Sequence, residues 1–193
     1  MAEKPYHHGD LRNSLIETGI ELINENGINH FSLRRVAAIC GVSHAAPYAH
    51  FKDIDDLLQA MSDHVSSQFM EALNTALQEQ TSSGDDIVRK LGRAYISFFM
   101  EHPRYFQFIF YHSGTTINLD NDSINDYPPF RLFRDTAYQE FSRHGIVFED
   151  REKLLIARWS LVHGIAALCT NSNVVYSGNW PAIIDNMKWV AGP

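Results

Sequence analysis

The chain has 193 residues, 16 of them basic and 23 acidic, and a formal net charge of −7. At 45% hydrophobic and 12% aromatic it can bury one large domain, or a small one fused to a larger one, which excludes disordered and collagen-like classes. No run approaches the roughly 18 apolar residues of a membrane span, the opening MAEKPYHHGDLRNSL lacks a signal-peptide apolar stretch, and Cys40 and Cys169 stand apart without a CxxC or a histidine at ligand spacing. The expectation is a soluble cytoplasmic protein with no metal, no cofactor and no membrane partner.

Apolar periodicity predicts helices throughout, about nine in all, and an all-α fold. Leu15, Ile16, Gly19, Leu22 and Ile23 share one face of a helix from about Asp10 to Asn26, stopped by Gly27. Ser32 caps a second helix carrying Leu33, Val36, Ala37 and Cys40, which Gly41 ends. Ser43 is expected to cap a third, ending near His50. Asp53, with Asp56 as a capping-box partner, starts a long fourth helix running to about Gln80. Further helices are expected at 85–100, 103–112, 130–144, 149–171 and 180–191, with Pro103 opening one of them and a polar loop at 113–129.

Charge is distributed unevenly along this order. Residues 1–52 carry five basic and five acidic side chains and five of the ten histidines, so the whole −7 belongs to residues 53–193. The C-terminal body repels a polyanion and the first quarter does not.

Two short helices joined by the tight Gly41-Val42-Ser43 turn, after a longer helix, match a helix-turn-helix. The run HHGDLRNSLIETGIELINENG followed by FSLRRVAAICGVSHAAPYAHFKD closely resembles the DNA-binding domain of TetR/AcrR-type bacterial transcriptional regulators. Leu91-Gly92-Arg93-Ala94-Tyr95 with His102-Pro103, and Trp159-Ser160-Leu161-Val162-His163-Gly164, resemble the C-terminal domain of the subgroup named for a Trp-His-Gly signature.

The resemblance implies a DNA-binding domain over residues 1–52 and a ligand-binding and dimerisation domain over 53–193, with a connecting helix at about 53–80. It places His44, Ala45 and Ala46 against base edges, where alanine methyls can meet thymine methyls. Tyr48, His50, Lys52, Ser32 and Ser43 would hold phosphates. Lys4, His7, His8 and Arg12 would form an arm along the backbone or minor groove. Three positions depart from the family pattern: Pro47 replaces a branched apolar residue, Ala49 a larger aromatic or basic one, and Ile54 a lysine that contacts phosphate.

In the C-terminal part, Tyr95, Phe99, Phe106, Phe110, Phe133, Trp159 and His163 are the candidate lining of a largely apolar effector cavity. Aromatics at helical spacing equally suit an ordinary core, and His163 suits either a polar handle or a satisfied core histidine. Leu161, Ile165 and Leu168, with Ile183, Ile184 and Met187, would supply a homodimer interface by the resemblance, or core packing by periodicity alone. The implied function is a homodimeric, ligand-responsive repressor of a pseudo-palindromic double-stranded DNA operator, released by a small apolar or aromatic molecule. The rivals are a ligand-binding or interaction module without DNA binding and an all-α enzyme. For the enzyme the chain offers no GxSxG, no HExxH, no phosphate-cradling glycine loop and no Cys-His signature.

Overall fold

The computed structural model describes residues 11–79, 87–119 and 127–185. Among these the regular structure is helical, with no strand. Seven α-helices follow in chain order: α1 (Leu11–Asn26), α2 (Leu33–Ile39), α3 (Ile54–Gln78), α4 (Ile87–Glu101), α5 (Pro103–Gln107), α6 (Pro128–Arg143) and α7 (Phe148–Cys169).

The count falls short of nine for local reasons. The expected third helix is a single 3-10 turn over Ala46–Ala49. A helix capped at Ser43 would draw its first backbone bond from the N–H of residue 47, and Pro47 has none. The Ser43 carbonyl instead accepts the Ala46 N–H at 3.0 Å, one residue tighter, and no Ser43 side-chain cap forms. The segment predicted as 103–112 is interrupted: α5 gives way to a π-turn at Phe108–His112, closed by Ser113 N–H to the Phe108 carbonyl at 2.8 Å. The last segment shows a 3-10 turn at Pro181–Ile184, and the rest of the helix expected at 180–191 lies outside the described residues. α6 starts two residues before the expected 130, because prolines at its first positions lack only N–H groups that no helix start uses.

Elsewhere the local signals act as read. Ser32 Oγ accepts the Arg35 N–H at 3.3 Å. Asp53 Oδ1 accepts the Asp56 N–H and Asp56 Oδ2 accepts the Lys52 N–H, both at 2.9 Å, so α3 begins with reciprocal caps. α2 ends on Gly41 at φ +70°, with Gly41 N–H bonded to the Ala38 carbonyl and Val42 N–H to the Ala37 carbonyl. The same six-to-one and five-to-two closure ends α6 at Gly145.

The described residues gather into two compact units, one within Met1–Val65 and Gln107–Gly114, the other within Ser66–Phe106 and Thr115–Pro193. In the first, α1 packs on α2 and on the 108–112 turn, around Leu15, Ile16, Ile23, Val36 and Phe51. In the second, α4 packs against α6, α7 and the 181–184 turn. α3 contributes its first half to one unit and its second half to the other. No helix among the described residues is long and apolar enough to cross a membrane.

A Cβ at Gly41 would meet no atom within 4 Å, so the cost of Gly41→Ala is purely that of its left-handed backbone. Urea denaturation is expected to show a loss of about 1–2 kcal/mol, and an unchanged midpoint would refute that origin.

Candidate functional site

The segment after the Gly41 turn is built on two inward residues. Pro47 is buried, and Phe51 is 1% exposed beneath the Arg12 guanidinium, which stands 5.4 Å from its ring centre. Between and beside these anchors, Ser43, His44, Ala45, Tyr48, Ala49, His50 and Lys52 all face solvent, and Ala46 is half-buried. Tyr48 is 56% exposed. Ser32 is half-buried, with its hydroxyl oxygen already accepting the Arg35 N–H. The arm residues Lys4, His7 and His8 lie outside the described residues. Arg12 is held against Phe51.

A second cluster sits in the other unit. The Phe69 ring of α3 lies against Tyr95, Phe98 and Phe99 of α4, with centroids 5.1, 5.0 and 4.7 Å away. Phe106 continues the column from Phe99 to His163. Trp159 stacks on the His163 imidazole at 4.7 Å, and the Tyr95 hydroxyl shares a 2.9 Å hydrogen bond with His163 Nδ1. Five of the seven proposed cavity residues, Tyr95, Phe99, Phe106, Trp159 and His163, are thus brought together. Phe133 is buried on α6, where Phe130 is the residue whose ring meets Trp159 at 5.5 Å. Phe110 belongs to the first unit and is half-buried there. Trp159 and His163 are half-buried, whereas Tyr95, Phe99 and Phe106 are buried.

The residues expected at a dimer interface divide in the same way. Ile165 and Ile184 are already buried inside the protomer, Leu161 and Ile183 are half-buried, and Leu168 is 47% exposed. Met187 lies outside the described residues. Arg158 is buried with its guanidinium 4.3 Å from the Phe141 ring centre. Arg93 pairs with Asp185. Among the described residues, no three His, Cys, Asp or Glu side chains gather as metal ligands.

A groove of about 800 Å³ between α3 and α4 is lined by none of the seven proposed cavity residues. Sequence reasoning passed over it. The available signal was a pair of small side chains, Ala72 and Ala76, and a pair of basic ones, Arg89 and Arg93, each spaced by one helical turn.

Two family models match the chain. Residues 15–61 match bacterial regulatory proteins of the tetR family, and residues 88–182 match a tetracyclin repressor-like C-terminal domain. A Rhodococcus sp. RHA1 protein of unknown function is 25% identical with a TM-score of 0.69, over 95% of this chain and 94% of that one. A tetR-family regulatory protein from Rhodococcus RHA1 is 20% identical, TM-score 0.60, with 90% of each chain covered. A fatty acid degradation regulator from Bacillus halodurans is 13% identical, TM-score 0.65, with 93% of each covered. The last two likenesses are of fold.

Burial holds His163 below its ordinary pKa of 6.5, since a charged imidazolium there loses hydration. The unfolded chain then takes up a proton at this position before the folded one does. Stability from this residue is full above about pH 6.5 and falls as the pH drops below it, until the folded side chain is protonated too. Thermal melts of His163→Gln are expected to depend less on pH between about 7 and 5 than those of the parent; parallel curves would contradict this.

Proposed function

Since the chain belongs to the tetR family of bacterial regulatory proteins and is a DNA-binding transcriptional regulator, we propose that its DNA-reading surface is the segment from Ser43 to Lys52. Ligand response, repression and dimerisation are typical of that family, and the reading here is a cytoplasmic homodimeric repressor of a pseudo-palindromic operator. The observation that carries it is the row of exposed side chains standing on the buried Pro47 and Phe51. Tyr48 is large and exposed, and its hydroxyl suits a phosphate contact.

In this reading His44, Ala45 and Ala46 face base edges in a major groove about 12 Å wide. Tyr48, His50, Lys52 and Ser43 hold phosphates on either side. Ser32 caps α2 through its hydroxyl oxygen and keeps its hydroxyl hydrogen to donate to a phosphate. Leu161, Leu168 and Ile183 retain surface for a partner copy. Gly164 supports close approach there, since a Cβ at that position would meet nothing within 4 Å.

The effector in this reading is a small aromatic or apolar molecule entering beside Trp159 and His163, the half-buried members of the aromatic cluster. The Tyr95–His163 pair supplies the polar handle. To release DNA, the effector must bind the non-binding arrangement more tightly, with a coupling of about 1–3 kcal/mol. α3 can carry the displacement, since one continuous helix serves both units.

Fluorescence anisotropy on DNA from the protein's own promoter region, with scrambled competitor at two salt concentrations, tests the whole reading. Tyr48→Ala should lower affinity for all sequences about equally and reduce the salt slope by about one. His44→Ala should instead change which operator base is preferred. If Tyr48→Ala binds like the parent, the surface is misassigned; equal weak binding to both DNAs favours an interaction module.

A further inference from the structure

The groove between the second half of α3 and α4 has a structural origin in the aromatic column. Phe69, wedged among Tyr95, Phe98 and Phe99, props the two helices apart on one side. On the other side the middle of the lining is small, with Ala72, Thr75 and Ala76 on α3 and Ala94 and Ser97 on α4. Aromatic spacers behind small side chains leave a gap that none of the described residues fills, with a volume of about 800 Å³. That lies inside the range of roughly 300–1,000 Å³ usual for small-molecule sites.

The two helices run antiparallel along it, which sorts the charges. Lys90 Nζ donates to the Glu79 carbonyl at 2.7 Å, fixing one end, and Gln68 Nε2 donates to the Tyr105 hydroxyl at 3.2 Å, fixing the other. Arg89, Lys90 and Arg93, with the carboxylate of Glu79, therefore line one end, and Glu71 and Glu101, beside His102, the opposite one. At the basic end a single aspartate serves two guanidiniums: Asp185 Oδ1 accepts from Arg93 Nε at 2.5 Å, and the Asp185 carbonyl accepts from Arg89 at 3.1 Å. Arg89 Nε is buried with no hydrogen-bond partner among the described residues. That nitrogen is out of reach of the groove, and the rest of the half-exposed Arg89 guanidinium, beside Lys90, is what an anion there would meet. Glu71 and Glu101 at the far end face solvent and oppose a second anion.

We infer that this groove binds a linear small molecule with an anionic group at one end and a cationic group at the other, the anion at Arg89 and the cation at Glu71 and Glu101. The twelve helical steps from Arg89 to Glu101 span about 18 Å. An extended five-residue peptide with free termini spans about 17 Å and carries the right charge at each end. The site shares Phe98 with the aromatic cluster but none of the seven proposed cavity residues, and it stands or falls independently of the operator-binding surface.

Amide chemical-shift titration of the full-length 15N-labelled protein with pentaalanine tests it, alongside N-acetyl-pentaalanine and pentaalanine amide. Saturable shifts are expected within residues 71–79 and 89–102. Blocking either terminus should weaken binding about tenfold, as should Arg89→Gln at one end and Glu101→Gln at the other. Glu101 is exposed, so its variant keeps the fold even if Arg89→Gln does not. No saturable shift by about 10 mM, equal affinity of the three peptides, or shifts confined to the residues around His163 would each overturn the proposal.

Discussion

Phe69 decides more of this molecule than any other side chain. Its ring meets three aromatic residues of α4, so the second half of a 25-residue helix is tied to the core of its unit by stacked and edge contacts rather than by close helix packing. Such pairs add about 0.5–1.5 kcal/mol each beyond the area they bury. Ring-to-ring contact also sets a wider spacing than alanine would. One consequence is the groove on the small-residue side; the other is the ordered column through Phe99 and Phe106 that ends on His163.

That column places a titratable group where water is scarce but not absent. Tyr95 is almost wholly buried, His163 half-buried, and the bond between them gives each a partner. A neutral imidazole accepting at Nδ1 from the Tyr95 hydroxyl carries its remaining proton on Nε2. The proposed effector site therefore offers stacking surface with one fixed polar feature, whereas the α3–α4 groove carries charged side chains at both ends. Two such chemistries within one unit suit different classes of small molecule.

The proposed DNA-reading segment rests on a different constraint. Gly41 reverses the chain with a left-handed residue, and Pro47 then denies the next stretch its first helical bond. The chain settles into a 3-10 turn anchored by Pro47 and Phe51, with the exposed positions fixed by those two contacts rather than by a regular helix. Ring burial compensates for the bond the proline cannot make. Arg12, stacked over Phe51, ties the start of α1 to the same anchor.

Helix class and most boundaries were legible in the sequence because their causes are local. Gly27, Gly41, Ser32 and the Asp53–Asp56 pair act through backbone bonds within a few residues of themselves. The resemblance to a family of regulators was legible for the same reason, since its motifs are short. The shortening of the third helix was legible in principle, through the missing Pro47 N–H, although a longer helix absorbs one such loss at its start. Tertiary structure alone decided the rest. Ile165 carries the same periodicity as Leu161 and Leu168 on α7, yet it is buried within the protomer and the others keep exposed surface. Phe110 follows the aromatic run yet belongs to the other unit. Arg93 finds Asp185 at a separation of 92 residues, and the groove exists only because Phe69 holds two helices apart. Periodicity reports that a face is apolar; only the packing of distant segments determines what covers it.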